Sequence, residues 1–266
     1  MKIFAKITAV LLPLGYLFVF SACSGSVETA PTEARIAPTL ATEQKTQTTS
    51  QQTQIPNLQA ELLSDQNKNT DSPIGKFDFK NFTYPLPRGW QDRDGKEAEL
   101  VDGKRPIVKS DEEQQIGLSY LTAKFFDTTG DGQDEAIVIL KINTGGGAIP
   151  QIVYIFEWKT DKPTLVWMFR TGDRADGGLK NIFLENGQTV VELFGQDRFI
   201  LGEIETGKIT GDEEQLCCPT HFTRNRYKFN GKDFLLQGKR LTYSMTDKTA
   251  PPIENMNEVV EKELKK

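Results

Sequence analysis

The stretch AIVILKINTGGGAIPQIVYIFEW, residues 136–158, decides the fold. It contains two apolar runs, residues 136–142 and 151–158, that are rich in β-branched and aromatic side chains. Runs of this length and composition are typical of β-strands, since helices need longer periodic segments. The three glycines between the runs lack the lysine and helix signal of a phosphate-binding loop, so they indicate a hairpin tip. This stretch therefore predicts a pair of antiparallel strands.

Further segments of the same kind lie on both sides of this pair. Asn186-Gly187 and Asn230-Gly231 are each flanked by strand-like runs, and Asn-Gly is the strongest short hairpin signal. No segment of the body sustains a period of 3.6 residues. We therefore predict a mainly β fold, an antiparallel meander that forms a barrel or a sandwich of about eight or more strands. The other predicted strands are residues 118–126, 164–170, 179–185, 189–194, 224–230 and 233–238.

Aromatic residues define the limits of the folded body. None occurs in residues 24–76, where Thr, Gln, Ser and Pro dominate, whereas they are frequent from Phe77 to Tyr243. A segment of that composition buries too little apolar area to offset its ordering entropy. We therefore predict a disordered tether over residues 23–76 and a β domain over residues 77–245.

The polar tail, residues 246–266, carries a weaker signal. Its apolar residues recur three or four positions apart, with Pro252 before them and two lysines after them. Proline suits the first helical turn, and lysines suit the negative end of the helix dipole. We therefore predict a short C-terminal helix that includes Ile253, Met256, Val260 and Leu264.

The first 22 residues indicate export. Two lysines precede an apolar run over residues 7–20, which is shorter than the ~20 residues that span a bilayer. The following Phe20-Ser21-Ala22-Cys23 resembles the lipobox of bacterial lipoproteins, with phenylalanine where leucine is usual. The resemblance implies cleavage after residue 22 and a covalent lipid such as palmitate on Cys23, which anchors the protein in a membrane. An ordinary secretory signal is the alternative.

The residue after the predicted lipid anchor bears on localisation. Ser24 stands there, not the aspartate that retains Gram-negative lipoproteins in the inner membrane. By resemblance to that sorting rule, we expect a location in the bacterial cell envelope, with the outer membrane favoured if the cell is Gram-negative.

Charge and composition exclude several functions. The net charge of −5 would repel nucleic acid, so no nucleic-acid partner is expected. Hydrophobic residues make up 37% of the chain, which is enough for a core but not for a membrane-embedded body. A single histidine, His221, argues against a multi-histidine metal site and a Ser-His-Asp triad. We predict a surface or hydrogen-bonded position for it.

The most informative loop begins at Asp127. Oxygen-bearing side chains occupy its positions 1, 3, 5 and 9, and glycine occupies position 6. The residue at position 7, Gln133, can offer its backbone carbonyl. This is the pattern with which a tight turn directs several oxygens toward a hard cation. An EF-hand is excluded because position 12 is Val138, within an apolar run. The candidate calcium ligands are Asp127, Thr129, Asp131, Gln133 and Glu135.

This loop resembles the D-x-D-x-D-G strand–turn–strand loops of FG-GAP and other secreted β proteins, with Thr129 in place of a carboxylate. The resemblance implies a calcium ion that stabilises the structure rather than a catalytic metal. The alternative is a β-turn without metal, in which Asp127 and Asp131 accept hydrogen bonds from backbone amides.

Cys217 and Cys218 are adjacent in the chain, and export would place them in an oxidising compartment. Neighbouring Cα atoms lie ~3.8 Å apart, below the usual ~4.4 Å minimum for a disulfide, so a vicinal bond would be strained. A vicinal disulfide, two free thiols and an intermolecular bridge all remain open.

Two further polar features each have a structural and a functional interpretation. The segment 171–178 is a connecting loop or, through Arg174, an anion-binding loop. Three basic residues alternate along a predicted strand and share one face, which is either solvated or anion-binding. We favour the structural interpretation of both features. The three basic residues are Arg224, Arg226 and Lys228.

The order of these motifs resembles an uncharacterised family of exported bacterial domains, which are commonly lipoproteins and are frequent in cyanobacteria. The resemblance covers residues 77–243. It rests on D-x-T-G-D-G-x-x-E from Asp127, T-G-D-R-A-D-G-G from Thr171 and C-C-P from Cys217. That family has no assigned activity, so the resemblance implies architecture and location rather than a reaction.

The expected function is that of a lipid-anchored envelope protein whose β domain is a non-enzymatic binding or structural module. Its expected partner, apart from the membrane, is an envelope protein or a glycan. One alternative is an inhibitor or modulator of a cell-wall enzyme such as lysozyme. Another is a hydrolase that uses paired carboxylates, Asp131 with Glu135 or Asp173 with Asp176.

Overall fold

The computed structural model describes residues 57–109, 114–207 and 218–255. Strands dominate this part of the chain, beside a 3-10 turn at Pro73–Lys76 and a short helix, α1, at Arg88–Asp94. The strands are β1 (Thr83–Pro85), β2 (Glu97–Glu99), β3 (Lys104–Arg105), β4 (Val108–Lys109), β5 (Gln114–Gln115), β6 (Gly117–Phe126), β7 (Glu135–Asn143), β8 (Gln151–Lys159), β9 (Lys162–Arg170), β10 (Leu179–Glu185), β11 (Gln188–Phe194), β12 (Arg198–Leu201), β13 (Ile204–Gly207), β14 (His221–Phe229), β15 (Phe234–Ser244) and β16 (Ile253–Asn255).

Two open sheets carry the fold. The larger has the order β12-β13-β9-β8-β7-β6-β3, and the smaller has the order β10-β11-β14-β15-β16. Neighbouring strands are antiparallel except for the single parallel bridge between β13 and β9. The predicted mainly β, antiparallel fold is therefore confirmed. Among the residues that the structure describes, neither sheet closes on itself, so the arrangement is a sandwich rather than a closed barrel.

The central strands of the larger sheet are buried on both faces. In β7 and β8, alternate residues such as Ile137 and Val153 belong to one hydrophobic core, while their neighbours Val138 and Ile152 belong to another. Strand side chains point alternately to opposite faces, so a strand covered on both sides must be apolar at every position. This explains why the two runs in residues 136–158 are continuous rather than alternating.

Different layers cover the two faces. The first core packs one face of the larger sheet against the chain between Ile74 and Leu100, including Tyr84 and Leu86. The second core lies between the opposite face and the smaller sheet, which contributes Tyr227 and residues of β10 and β11. The smaller sheet therefore depends on the larger one for much of its apolar burial.

Both Asn-Gly sequences form the predicted hairpins. Asn186 and Gly187 connect β10 to β11 and have φ of 52° and 70°, as a type I′ turn requires. The second turn is different, because Gly231 has φ of 95° while Asn230 uses its side-chain Oδ1 to accept the amide of Asp233. Asparagine therefore shapes the two turns in different ways, once by its backbone and once by its side chain.

The folded part begins earlier than the predicted boundary at Phe77. Leu62 is fully buried in the second core and Ile74 in the first, and the Asn67 carbonyl accepts the backbone amide of Phe125. The tether prediction is therefore wrong for residues 57–76. These apolar residues are too isolated to form a periodic pattern, so their burial depends on surfaces that distant strands provide. Residues 23–56 of the predicted tether lie outside the described residues.

The predicted C-terminal helix is also wrong for residues 253–255, the part of it that the structure describes. Ile253, Glu254 and Asn255 form β16, which pairs with Thr242, Leu241 and Arg240 of β15. The edge of β15 supplies backbone hydrogen bonds that outweigh a weak helical pattern in a short segment. Met256, Val260 and Leu264 lie outside the described residues.

Candidate functional site

The Asp127 loop connects two central strands of the larger sheet. β6 ends at Phe126, β7 begins at Glu135, and these two residues are paired across the hairpin. One carboxylate oxygen from each of Asp127, Asp131 and Glu135 lies within 4.8 Å of the other two. The structure thus brings together three of the five residues predicted to bind calcium.

Glu135 is the organising residue of this loop. Its side chain is buried, and its Oε2 accepts the Thr128 amide at 2.6 Å, the Thr128 hydroxyl at 2.7 Å and the Thr129 amide at 3.0 Å. Its Oε1 accepts the Thr129 hydroxyl at 3.1 Å. Burial raises the pKa of Glu135, and the hydrogen bonds from Thr128 and Thr129 oppose that rise. The Glu135 carboxylate therefore accepts the four hydrogen bonds that these donors would otherwise give to water.

The two aspartates bind backbone amides of the same loop. Asp127 accepts the Gly130 amide at 2.6 Å and the Gly132 amide at 2.9 Å, while Asp131 accepts the Gln133 amide at 2.8 Å. Gly132 has φ of 87°, a conformation that explains the glycine at this position. These are the amide contacts that the β-turn interpretation predicts.

The fit to calcium is incomplete. The Thr129 hydroxyl donates to Glu135, and that carboxylate already accepts four hydrogen bonds, three at Oε2 and one at Oε1. Asp127 and Asp131 keep acceptor capacity, and within the described chain neither forms a salt bridge. Two such charges ~4 Å apart repel by ~4 kcal/mol at an effective dielectric of ~20. The loop therefore brings three carboxylates together, of which Asp127 and Asp131 keep oxygens that are free to accept further contacts.

The segment 171–178 is held by contacts within the fold. Asp173 accepts the Ile149 amide at 2.7 Å, Arg174 donates to the Gly147 carbonyl at 2.5 Å, and Asp176 forms a salt bridge with Arg198. The loop is thereby fastened to the hairpin tip between β7 and β8. These contacts support its interpretation as a structural connection.

Two basic residues of β14 face carboxylates of other strands in the same sheet. Arg224 donates two hydrogen bonds to Glu192, at 2.8 and 2.6 Å, and Arg226 forms a salt bridge with Glu185 at 2.8 Å. Lys228 is exposed. Two of the three cations are thus neutralised locally, which disfavours the anion-binding interpretation.

The sequence prediction missed a buried ion cluster around Glu192. Its side chain is 2% exposed and binds Lys180 at 2.8 Å in addition to Arg224. Lys180 also forms a salt bridge with Glu61, in the segment predicted to be a tether. The available signal was Glu192 itself, a carboxylate within the apolar run 189–194. A charge that is buried with its strand needs a partner of opposite charge.

The cysteines and the histidine are only partly described. Cys218 is exposed, whereas Cys217 and Cys23 lie outside the described residues. The vicinal disulfide and the lipid therefore stay predictions. His221 begins β14, with its Nδ1 at 2.8 Å from the Thr220 hydroxyl and 3.3 Å from Gln196 Nε2. The predicted hydrogen-bonded position is confirmed for this residue.

Two adjoining grooves lie beside the turn between β12 and β13. The larger, about 720 Å³, is lined by apolar residues that include Leu165, Trp167, Phe234 and Leu235 and by the carboxylates of Glu203 and Asp233. The two leucines are 37% and 38% exposed. The smaller groove, about 400 Å³, is lined by residues that include Arg88, Trp90, Arg170 and Glu203. Exposed apolar side chains in a concave surface are typical of a binding site.

Comparison of the chain with protein-family models, curated proteins and solved structures gives no match. The resemblance to exported bacterial domains therefore stays a prediction. Within the described residues, no helix has the length and apolar character needed to cross a bilayer.

Proposed function

We propose that this protein is a non-enzymatic binding module of the bacterial cell envelope, held there by a lipid on Cys23. The observation that carries the proposal is the larger groove, where Leu165 and Leu235 are exposed beside Trp167 and Phe234. The free energy gained by covering such side chains favours association with a partner. If the cell is Gram-negative, Ser24 favours the outer membrane.

The carboxylate pairs considered for hydrolysis support a structural role instead. Glu135 is buried under four hydrogen bonds, and Asp131 binds the amide of Gln133. Asp173 and Asp176 are held by the Ile149 amide and by Arg198. A general acid or base must reach the proton that it transfers, and each pair contains at least one carboxylate that the fold already holds, Glu135 in the first pair and Asp173 and Asp176 in the second.

The lipid anchor is tested by replacing Cys23 with serine. We expect this variant to lose incorporation of labelled palmitate, because the thiol that carries the acyl chains is gone. Each buried CH₂ contributes ~0.8 kcal/mol to anchoring, so the wild-type protein should sediment with membranes. The measurement is palmitate labelling of cells, with Cys218→Ser as the matched control that keeps its label. Labelled Cys23→Ser protein would refute the anchor.

We also propose that the Asp127 loop binds calcium weakly. The proposal rests on the three carboxylates that converge within 4.8 Å of one another. Calcium at millimolar concentration is expected to raise Tm by about 2–4 °C, because a ligand that binds only the folded state stabilises it. Calorimetry with and without calcium measures the shift, and Asp131→Asn is expected to abolish it. If calcium left the Tm of the wild-type protein unchanged, the β-turn without metal would be the remaining interpretation.

A further inference from the structure

The larger groove offers side chains rather than a continuous strand edge. On the side away from β8, the described chain pairs with β9 through a single bridge, between Arg170 and Ile204. The rest of that edge is interrupted, because Pro163 has no amide and Val166 is an extra residue in the register with β8. Recognition in this groove therefore depends on the shape and charge of its side chains.

The apolar part of the groove has a fixed floor and two exposed side chains. Trp167 and Phe234 stack with ring centroids 4.8 Å apart, and both pack against the second core, which fixes their positions. Leu165 and Leu235 also line the groove, and more than a third of each is exposed. An apolar group that covers these leucines releases water from them, and this favours binding.

Charge distinguishes the larger groove from the smaller one. Among the described residues that line the larger groove, the charged ones are Glu203 and Asp233. Glu203 lies in the turn between β12 and β13, and Asp233 lies in the turn before β15, so the two carboxylates reach the apolar surface from separate turns. The smaller groove is instead lined by Arg88 and by Arg170, whose guanidinium lies 5.3 Å from the centre of the Trp90 ring.

The partners of both carboxylates within the chain are highly solvated. Arg88 binds Glu203 at 3.3 Å, but the arginine side chain is 85% exposed. Lys232 lies 3.9 Å from Asp233, and the lysine side chain is 86% exposed. Exposed ion pairs of this kind contribute little to stability. A basic group of a ligand can therefore replace either partner while apolar groups of the same ligand cover the leucines.

The groove lies away from the point at which the N-terminal segment joins the described body. That segment contacts β6, where the Phe125 amide donates to Asn67, and β10, where Lys180 binds Glu61. In the two sheets, β9 is three strands from β6 and β14 is two strands from β10. At ~4.8 Å per strand, about 10–14 Å of sheet separates the two places. The described part of the N-terminal segment therefore leaves the groove open to a partner.

We propose that the larger groove binds a segment of a partner protein in which basic side chains flank apolar ones. The apolar side chains cover Leu165 and Leu235, and the basic ones pair with Glu203 and Asp233. An anionic lipid surface would be repelled by these two carboxylates, which favours a protein as the occupant. This inference rests on the proposed function, because it names the partner class of the proposed binding module.

The test uses the whole exported chain, purified in detergent, and short peptides with capped ends. The probe is Lys-Leu-Phe-Leu-Lys, and the comparison peptides are Glu-Leu-Phe-Leu-Glu and Lys-Ser-Gln-Ser-Lys. Titration calorimetry is expected to give a Kd below about 1 mM for the probe, about tenfold weaker binding of the glutamate peptide and no binding of the polar peptide. Leu165→Lys should abolish binding and also measures partition of the probe into detergent. Val101→Lys, at an exposed position outside the groove, should preserve binding.

Two charge variants separate recognition from damage to the fold. The double substitution of Glu203→Lys with Asp233→Lys should reverse the preference, so that the glutamate peptide binds more tightly than the probe. Arg88→Gln should tighten binding of the probe about twofold, because it removes the side chain that competes for Glu203. A substitution that only damaged the fold would weaken both peptides alike.

Several results would overturn the inference. Equal binding of the probe and the glutamate peptide would exclude charge selection but would keep the groove as the site of the proposed binding function. No binding of any peptide at about 1 mM would exclude the groove itself. Dimerisation that Leu165→Lys abolishes would assign the groove to a second copy of the chain. The lipid anchor is tested separately by palmitate labelling, because peptide binding in detergent does not require the lipid.

Discussion

Replacing Glu192 with alanine is expected to lower the free energy of unfolding by about 3–5 kcal/mol, because removal of one partner leaves buried charges uncompensated. The Glu192 carboxylate binds Lys180 through Oε2 and Arg224 through Oε1. The Lys180 side chain is only 10% exposed, so water cannot readily replace the lost carboxylate. Lys180 keeps its salt bridge to Glu61, whose side chain is 59% exposed and therefore screened.

The matched control is Glu157→Ala. Glu157 also pairs with a lysine on the larger sheet, Lys159, but the lysine side chain is 65% exposed. We expect the control to change the free energy of unfolding by less than about 1 kcal/mol, as exposed ion pairs usually do. Urea unfolding monitored by circular dichroism measures both variants. Equal effects of the two substitutions would contradict the expectation that the burial of the Glu192 cluster makes the loss of its carboxylate costly.

Local sequence patterns predicted the strands because the information that defines them is local. Residues 136–142 are apolar at every position except Lys141, and such a run identifies a strand whatever covers its faces. The covering layers could not be predicted, since Leu62 and Ile74 are isolated apolar residues in a polar segment. Their burial follows from contacts with β-strands that lie more than fifty residues away in the chain. Composition therefore placed the start of the folded body too late.

The same distinction applies to the candidate sites. All contacts within the Asp127 loop join residues less than ten positions apart, so the sequence was sufficient to bring Asp127, Asp131 and Glu135 together. The Glu192 cluster required the register of β10, β11 and β14, in which Glu192 lies opposite both Asn181 and Arg224. The larger groove joins β9 to the β14–β15 hairpin, and no local pattern gives that pairing.

Replacing Glu135 with alanine is expected to cost about 2–4 kcal/mol, because the amides and hydroxyls of Thr128 and Thr129 lose their common acceptor. Thr128 is buried, so water cannot satisfy its donors fully. Asp131→Ala is the matched control from the same loop, since its carboxylate is exposed and binds one amide. We expect that control to cost less than about 1 kcal/mol. Urea unfolding at neutral pH, without calcium, compares the two variants. A control as costly as Glu135→Ala would show that loop charge, rather than the buried acceptor, determines stability.

The pH dependence of stability provides a second measurement of the same residue. Burial raises the pKa of Glu135 above its ordinary value of 4.5, and the neighbouring hydrogen bonds oppose that rise. The folded state therefore holds this proton to higher pH than the unfolded chain does. The stabilisation that results is fully present below pH 4.5 and is lost as the pH rises through the folded-state pKa. Glu135→Gln cannot ionise, so its free energy of unfolding should decline less over this range.

Glu205 is the natural comparison, because burial also raises its pKa while Arg198 and Arg170 oppose that rise. Glu205→Gln should remove a separate part of the same decline in stability with pH. If Glu135→Gln leaves the pH profile unchanged and Glu205→Gln flattens it, Glu135 is ionised throughout. Its four hydrogen bonds would then outweigh its burial, and Glu135 itself would contribute a negative charge to the loop over the pH range of the measurement. Protonation of Glu135 would consequently not change the affinity for a cation, which calcium titrations at two pH values would test.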